Sequence, residues 1–548
     1  MPTELIKSQL SLIPPNPGVY RFFNSKNEVI YVGKAKNLFK RVSSYTKENQ
    51  LSRRISRMIF LAQKVEIIQT ESEVEALLLE HNLIKKLQPR FNILLRDDKT
   101  FPQILITNHQ FPQITKYRGG NDNKGSHFGP FANTRSVNHT IDVLRKIFRL
   151  RNCSDAEFKL RQKPCLEFQI KRCLAPCVAK VSSDEYKIAV GNAIDFLKGK
   201  TDQVQEKLTA KMQQFSAEQN YESAANVRDQ INALNDVQTK QNININEIKD
   251  ADVITIVESR GSVCIYVAFF RASRSLGAKP YFYEIEEDKK LDELLSEFLG
   301  QFYLDNPAPS LILLNLELSE KKLLEMFLAK KNFDKKTEII TPKRGVKLAL
   351  LQDQEKLARQ NLDQKILQNL NNKKLLLEVK KIFNLPKIPK RIEVYDNSHT
   401  QTTNAVGALI TAGVDGFIKS GYRKFNLRFD LSQNRDDTAM MREVFMRRFS
   451  KLKKAEYPDL IIIDGGKGQM NAAQEIFDYL KVSIPFICMS KGENRNAGEE
   501  VFHQINQDSF TLPKTHPVMY YLQRLRDEAH RFAIMTHRKK RDKAMVIF

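Results

Sequence analysis

Two short runs that each end on an aspartate constrain this chain most. Leu460-Ile-Ile-Ile-Asp464 is apolar at every position before its aspartate, a pattern that suits a central strand covered on both faces. In Arg391-Ile-Glu-Val-Tyr-Asp396, residues Ile392, Val394 and Asp396 share one parity, so the aspartate closes the buried face of its strand. Between these runs lie strand-like stretches at 405–412 and 422–428 and a helical stretch at 436–450. The same order of three strands, a helix and a strand occurs earlier, at 253–257, 262–270, 281–285, 291–303 and Leu311-Ile-Leu-Leu. In that earlier copy the corresponding strand ends are Glu258 and Asn315, which marks it as a duplicate without the paired aspartates. Two carboxylates at neighbouring strand ends make a cradle for a divalent metal ion.

The chain has 548 residues, too many for one hydrophobic core, and several domains are expected. No apolar run approaches the ~18 residues of a membrane span. The N-terminal Met1-Pro-Thr-Glu-Leu-Ile-Lys lacks the basic and apolar regions of a signal peptide, so a cytoplasmic, non-membrane protein is expected. Lys and Arg exceed Asp and Glu by 24, a balance that favours a polyanionic partner. The excess is marked at both ends, with seventeen basic against ten acidic residues in 1–100 and eight against three in 521–548.

Near the N-terminus, Gly18-Val-Tyr20 and Tyr31-Val-Gly33 flank the turn Asn24-Ser-Lys-Asn27. Pairing Phe23 with Glu28 sets Tyr20 opposite Tyr31, with both rings on one face. Arg41 and Tyr45 follow at i,i+4 spacing on a helix. Thr70-x-x-Glu73 reads as a capping box opening a helix, on which Glu80 is flanked by Ala76, Leu77, Leu83 and Ile84. A carboxylate centred on an apolar face needs a counter-charge or a metal. Together with Lys34, the segment Glu80-x-Asn-Leu-Ile-Lys-Lys and Asn92, these elements in this order resemble a GIY-YIG nuclease domain. The resemblance implies that Glu80 holds one divalent ion and that Tyr31 helps activate the attacking water. Tyr20, Lys34, Arg41, Tyr45 and Asn92 would then position and stabilise the scissile phosphate.

Four of the six cysteines, Cys153, Cys165, Cys173 and Cys177, fall within 25 residues. In a reducing compartment such clustering reads as metal binding, and four thiolates suit either zinc or a four-iron cluster. Cys264 and Cys488 sit alone in apolar runs and are expected in the core. Residues 200–238 are polar and helical, with Phe215, Tyr221, Ala224, Ala225, Val227 and Ile231 at helical spacings. That stretch is either a hairpin supporting its own domain or a docking module for a partner's helix pair. After Asp464, Gly465-Gly-Lys467-Gly468 lacks Walker A spacing, but its bare amides and Lys467 can approach a phosphate. Near the end, Arg526 and His530 lie one helical turn apart.

Five segments then resemble the UvrC family, the incision subunits of bacterial nucleotide excision repair, in the right order. They are Lys163-Pro-Cys to Cys177, Asn220-Tyr-Glu-Ser-Ala-Ala-Asn-Val-Arg-Asp-Gln-Ile231, the Tyr395-Asp396 and Ile463-Asp464 strands, and Arg526-Asp-Glu-Ala-His530. The resemblance implies an Asp396–Asp464–His530 metal triad on a ribonuclease H-like sheet, with Asp437 a candidate accessory carboxylate. It favours a [4Fe-4S] cluster over zinc on the four cysteines. It makes 200–238 a UVR motif that binds the UvrB helicase subunit through Tyr221, Ala224, Ala225 and Arg228. The expected substrate is damaged double-stranded DNA and the expected divalent ion Mg²⁺ or Mn²⁺. The expected 3′ cut falls to the N-terminal site and the 5′ cut to the C-terminal site.

The expected architecture is multidomain α/β. A GIY-YIG domain spans 12–100, a linker with the cysteine cluster 101–199, and the UVR helical hairpin 200–238. A degenerate ribonuclease H-like region plus helices covers 250–380, and a ribonuclease H-like endonuclease domain 381–548. A hinge is expected near 241–246. Family members usually continue into tandem helix-hairpin-helix motifs, whereas this sequence stops at Phe548, so weaker DNA affinity is expected. Two rival readings are a non-enzymatic adaptor, which would have no need of Glu80, Asp396, Asp464 and His530, and a structure-specific nuclease indifferent to lesions.

Overall fold

The computed structural model describes residues 8–46, 51, 53–95, 101–119, 124–239, 248–285, 290–331, 336–398, 406–426, 437–452, 454–490 and 500–545. The chain divides into two compact units, Met1–Asp363 and Gln364–Phe548. The stretch proposed as a hinge, 241–246, lies outside the described residues.

In the first unit β1 (Gly18–Phe23), β2 (Val29–Ala35) and β3 (Lys64–Gln69) form an antiparallel sheet ordered β2-β1-β3. Helices α1 (Leu38–Ser44) and α2 (Arg53–Leu61) connect β2 to β3, and α3 (Glu73–Leu87) packs on β1 and β2. The hairpin register differs from expectation. Phe23 pairs with Val29, and a bulge beside it brings Tyr31 opposite Phe22 and Gly33 opposite Tyr20. A shift of two keeps the parity, so Tyr20 and Tyr31 still share a face, with ring centroids 6.1 Å apart. Only a glycine fits opposite Tyr20, because a Cβ on Gly33 would lie 2.4 Å from the Tyr20 Oη. The cap of α3 also differs. The N-cap is Ser72, whose Oγ accepts from the Glu75 amide at 3.2 Å, while Thr70 donates to the Ser72 carbonyl. Ser72 has the extended backbone that an N-cap requires.

Residues 101–199, expected as a linker, are a folded layer. Strands β4 (Gln103–Thr107), β5 (Ile114–Tyr117) and β6 (Gly125–Phe128) are ordered β5-β4-β6. With them go α4 (Thr134–Phe148), the short α5 (Asp155–Leu160) and α6 (Leu166–Gln169), and α7 (Ser183–Leu197). Ile104, Ile106 and Ile114 of the sheet bury against Val137, Leu144 and Ile147 of α4, which gives this region its own core. The hairpin of α8 (Thr201–Ala217) and α9 (Tyr221–Thr239) adds Val204, Leu208, Val227 and Leu234 to that same core.

Next come β7 (Ala251–Ser259), β8 (Ser262–Arg271) and β9 (Arg274–Glu284), then α10 (Leu291–Asp305), β10 (Leu311–Leu314), α11 (Lys321–Lys331) and β11 (Glu338–Ile340). The sheet order is β11-β10-β7-β8-β9, with β10 parallel to both β7 and β11. Helix α12 (Gly345–Ile382) crosses the division between the units.

The second unit repeats the plan. Antiparallel β12 (Arg391–Ser398), β13 (Val406–Gly413), β14 (Gly416–Phe417) and β15 (Arg423–Asn426) precede α13 (Asp437–Phe449). Then follow β16 (Leu460–Asp464), parallel to β12, and α14 (Lys467–Leu480). Strands β17 (Phe486–Ser490), β18 (Val501–His503) and β19 (Phe510–Thr511) extend the sheet, and α15 (Pro517–Met545) packs on β12 and β13. Val518, Leu522, Leu525 and Ala529 form the buried stripe of α15 at the i, i+4, i+7, i+11 spacing of one helix face. Cys264 and Cys488 are fully buried, as expected. Among the described residues no helix is long and apolar enough to cross a membrane.

Candidate active sites

The N-terminal constellation gathers on one side of the three-stranded sheet. The Tyr20 and Tyr45 hydroxyls are hydrogen-bonded at 2.7 Å, and the Arg41 Nε donates to the Tyr20 Oη at 3.3 Å. The Arg41 guanidinium lies 5.5 Å from the Tyr45 ring centroid, as the i,i+4 spacing requires. Burial, with Tyr20 and Tyr45 adding to it, holds the Tyr31 phenol well above its ordinary range. At neutral pH it is therefore a neutral hydroxyl.

Glu80 reaches this group from α3, and its Oε1 accepts from the Lys34 backbone amide at 3.0 Å. Burial, opposed by Lys34 and reinforced by Glu297, pushes its carboxyl up to about 8. A carboxylate so placed gains from a cation, because desolvation penalises its bare charge. Asn92 spends both ends of its amide on one strand residue: Oδ1 accepts from the Val32 amide at 2.8 Å and Nδ2 donates to the Val32 carbonyl at 2.7 Å. It thus pins β2 between Tyr31 and Gly33.

Sequence reasoning missed two neighbours. Glu320, at the start of α11, holds the Lys34 Nζ at 2.9 Å, and Glu297 of α10 adds a second negative field at Glu80. Both are distant in sequence, and no local pattern announces them. His81, next to Glu80, is buried and packs edge-on to Phe327. A Cβ on Gly300 of α10 would collide with its ring.

In the second unit the pairing of Tyr395 with Ile463 puts Asp396 and Asp464 at neighbouring strand ends. The His530 Nδ1 lies 3.0 Å from the Asp396 Oδ2. One turn before His530, Arg526 is held by the buried Glu500 at 2.9 Å, and the charge of Asp464 raises its pKa further. Glu500 was not singled out from the sequence, because it sits outside any motif. Helix α14 starts directly after Asp464, with the Gly466 amide donating to the Gln469 Oε1 at 3.0 Å. Lys467 and the free amides of that first turn therefore stand beside the carboxylate pair. The side chain of Asp437 lies outside the described residues.

The first copy differs at both matching positions. Counting from the pairs Leu311–Ala251 and Leu460–Ile392, the residue in the place of Asp396 is Thr255, and Asn315 stands in the place of Asp464. Glu258, the expected counterpart, lies three residues further on. The Asn315 Oδ1 accepts from the Ile256 amide and its Nδ2 donates to the Ile256 carbonyl, each at 2.9 Å.

All six cysteines are free thiols. Cys173 is pushed up to about 11 by burial, and Cys165, Cys153 and Cys177 push it the same way. Among the described residues, no three or more His, Cys, Asp or Glu side chains lie close enough together to hold a metal ion. On the hairpin, Tyr221 and Arg228 are exposed, and Ala224 and Ala225 are half-buried.

Comparisons with known proteins cover nearly the whole chain. Family models match as UvrC-like GIY-YIG domain at 16–93, UvrC/Cho excinuclease middle domain at 101–196, and UvrB/uvrC motif at 202–237. Two further models match as UvrC Ribonuclease H-like domain at 250–365 and UvrC RNAse H endonuclease domain at 380–534. UvrABC system protein C of Hyphomonas neptunium is 46% identical over 549 residues, covering 98% of this chain and 89% of its own length. Its counterpart in Paramagnetospirillum magneticum is 46% identical over 99% of this chain and 88% of its own length. A solved GIY-YIG N-terminal endonuclease domain of UvrC from Thermotoga maritima, bound to magnesium, is 41% identical. It covers 16% of this chain and 98% of that one, at a TM-score of 0.16. By these matches the chain belongs to the UvrC family, the metal-dependent endonucleases that make the dual incisions of nucleotide excision repair.

Proposed function

We propose that the two incisions are made by two chemically different sites of this chain, the 3′ cut around Glu80 and the 5′ cut around Asp396, Asp464 and His530. The observation that carries the reading is the pairing of Asp396 with His530 beside Asp464, set against a separate Glu80 site among Tyr20, Tyr31, Arg41 and Tyr45.

At the N-terminal site Glu80 would hold one divalent ion, Mg²⁺ or Mn²⁺, since hard cations take carboxylate oxygen. When bound, that ion supplies charge stabilisation and a more acidic water. Arg41, kept fully charged by Tyr20 and Tyr45, faces the developing phosphate charge. Tyr31 accepts a hydrogen bond from the attacking water and orients it. Lys34 reaches the phosphate once its Nζ leaves Glu320, and Asn92 acts indirectly by holding Val32. At the C-terminal site Asp396 and Asp464 would share the metal with His530, whose Nδ1 already meets Asp396. Lys467 and the α14 amides receive a phosphate oxygen, and Asp437 remains the candidate accessory carboxylate.

Cys153, Cys165, Cys173 and Cys177 would hold a [4Fe-4S] cluster, with zinc the alternative; the reading rests on four free thiols within 25 residues. Iron, sulfide and zinc content of the purified protein separates the two. The exposed Tyr221 and Arg228, with Ala224 and Ala225, would dock the UvrB helicase subunit, which places the enzyme on damaged duplex DNA in the cytoplasm.

The test supplies the lesion-loading partner and Mg²⁺ and compares Glu80→Ala with Asp396→Ala on end-labelled damaged duplex. The expected result is loss of the 3′ cut alone in the first and of the 5′ cut alone in the second. Loss of both cuts in either variant, with fold and binding intact, would end the two-site reading.

A further inference from the structure

A groove of about 1060 Å³ in the first unit shares no lining residue with either constellation. Its walls come from α4, the turn between α7 and α8, the segment before β7 and the β8–β9 hairpin. Six Lys and Arg side chains face it against a single carboxylate, Asp250.

Some of that charge is neutralised within the protein. Arg271 is paired with the buried Asp252 at 2.8 Å, and Lys200 lies 3.7 Å from Asp195. Asp250 is engaged by the Ala272 amide at 2.9 Å. Lys146, Lys198 and Lys249 are exposed and have no ion pair among the described residues. Arg274 is half-buried, with its guanidinium 4.2 Å from the centroid of the Phe196 ring. It donates only to neutral oxygens, the Phe196 carbonyl and the Thr201 hydroxyl. Burial pushes the Arg274 pKa down, and the nearby charge of Asp202 only partly opposes it, so a half-desolvated guanidinium adds positive potential to the groove.

The hairpin that presents Arg274 is held in a costly conformation. Its two central residues, Ala272 at φ +51° and Ser273 at φ +60°, occupy the left-handed region that Asn-Gly ordinarily fills in such turns. The Asp250 contact and the bond from the Ser273 amide to the Lys249 carbonyl at 2.8 Å fasten it. Gly199 (φ +82°) admits the close approach, because a Cβ there would lie 2.7 Å from the Ala272 Cβ. Strain kept in place by its surroundings concentrates at ligand clamps.

We propose that this groove binds the phosphodiester backbone of a nucleic-acid strand, outside both catalytic constellations. Lys146, Lys198 and Lys249, which have no ion pair among the described residues, and the half-buried Arg274 come from four separate chain segments and suit a run of phosphates rather than one anion. The Phe131 and Phe196 rings beside them are 2% exposed, so these two are not offered for base stacking, and recognition is of the backbone.

The test uses the full chain in EDTA, where no incision occurs, so it stands apart from the assignment of the two cuts. Fluorescence anisotropy of a labelled single strand is followed against salt for wild type and a K146Q/K198Q/K249Q variant. The expected result is about tenfold weaker binding, with the slope of log K against log salt shallower by roughly two. An unchanged isotherm and slope overturn the proposal. The matching triple Lys→Arg variant should bind as wild type does; if it is as weak as the Gln variant, charge is not what the groove supplies and the proposal fails. Inorganic pyrophosphate should displace the strand only at salt-like concentrations. Displacement at micromolar levels would make this a small-anion site, and equal competition by polyglutamate a face for acidic protein; either contradicts the proposal.

Discussion

In the copy built on β7 to β11, the residues facing each other where the parallel pairing ends are Thr255 and Asn315; in the copy built on β12 to β19 they are Asp396 and Asp464. The frame is otherwise the same, three antiparallel strands followed by a helix and a parallel strand. The difference shows what each strand end is used for. An amide both donates and accepts, so Asn315 closes onto the Ile256 backbone and stitches β10 to β7. A carboxylate cannot donate, so Asp464 cannot make that stitch, and its charge is felt instead by Arg526 of α15. The helices diverge as well. In the first copy α10 and α11 are covered by α3, through His81 on Gly300, Lys85 with Asp305 at 2.5 Å and Lys330 with Glu75 at 3.1 Å. In the second, α15 brings His530 to Asp396.

The largest expected effect is on chemistry. Asp464→Asn should slow the cut assigned to the second unit by about a thousandfold with little change in melting temperature, because Asp464 is only half-buried. A cut rate within a few-fold of wild type would remove Asp464 from the site. Arg526→Ala comes next. It removes the charged partner of Glu500, which is 1% exposed and keeps only neutral donors such as Gln523, and should destabilise the second unit by about 1.5–3 kcal/mol, read as a shift in urea midpoint.

His81 gives a pH-dependent effect in the first unit. Burial lowers its pKa from 6.5 to about 3, so the unfolded chain takes up a proton before the folded chain does. Stability is therefore full above pH ~6.5 and falls as the pH drops toward 3, by about 2 kcal/mol between pH 6.5 and 5. His81→Leu should flatten that fall, and an unflattened curve would show that the ring is solvated. Asn315→Asp should cost about 1–3 kcal/mol, since the Ile256 carbonyl loses its donor, and should create no new cut. A neutral effect on stability would mean the stitch is dispensable and the two strand ends less different than described.

Much of the chemistry was legible because it is local. Asp464 ends an apolar strand, Asp396 shares the buried parity of a strand that runs on to Ser398, and Arg41 and Tyr45 are one helical turn apart, so period and parity alone place them. What escaped reading was set by geometry or by distance. The β1–β2 bulge moved Tyr31 from Tyr20 to Phe22 without changing parity, and Ser72 replaced Thr70 as the cap because backbone conformation decided. The counterpart of Asp396 is Thr255 rather than Glu258, since interstrand register is not written in a single strand. The core of 101–199 is assembled from apolar residues spread over more than a hundred positions, Ile104 to Leu234, and so the stretch reads as a linker. The bond from Lys34 to Glu320 spans 286 residues.

On the proposed function, the same sheet frame carries the Asp396–Asp464 metal pair in one copy, where the other has the Asn315 stitch onto Ile256. Calorimetric titration of Mn²⁺ into the wild type, Glu80→Gln, Asp464→Asn and the double variant tests it directly. Each single variant is expected to lose one class of site, and the double variant to bind none. Residual stoichiometric Mn²⁺ in the double variant, abolished by Asn315→Ala, would place a metal in the first copy and contradict it.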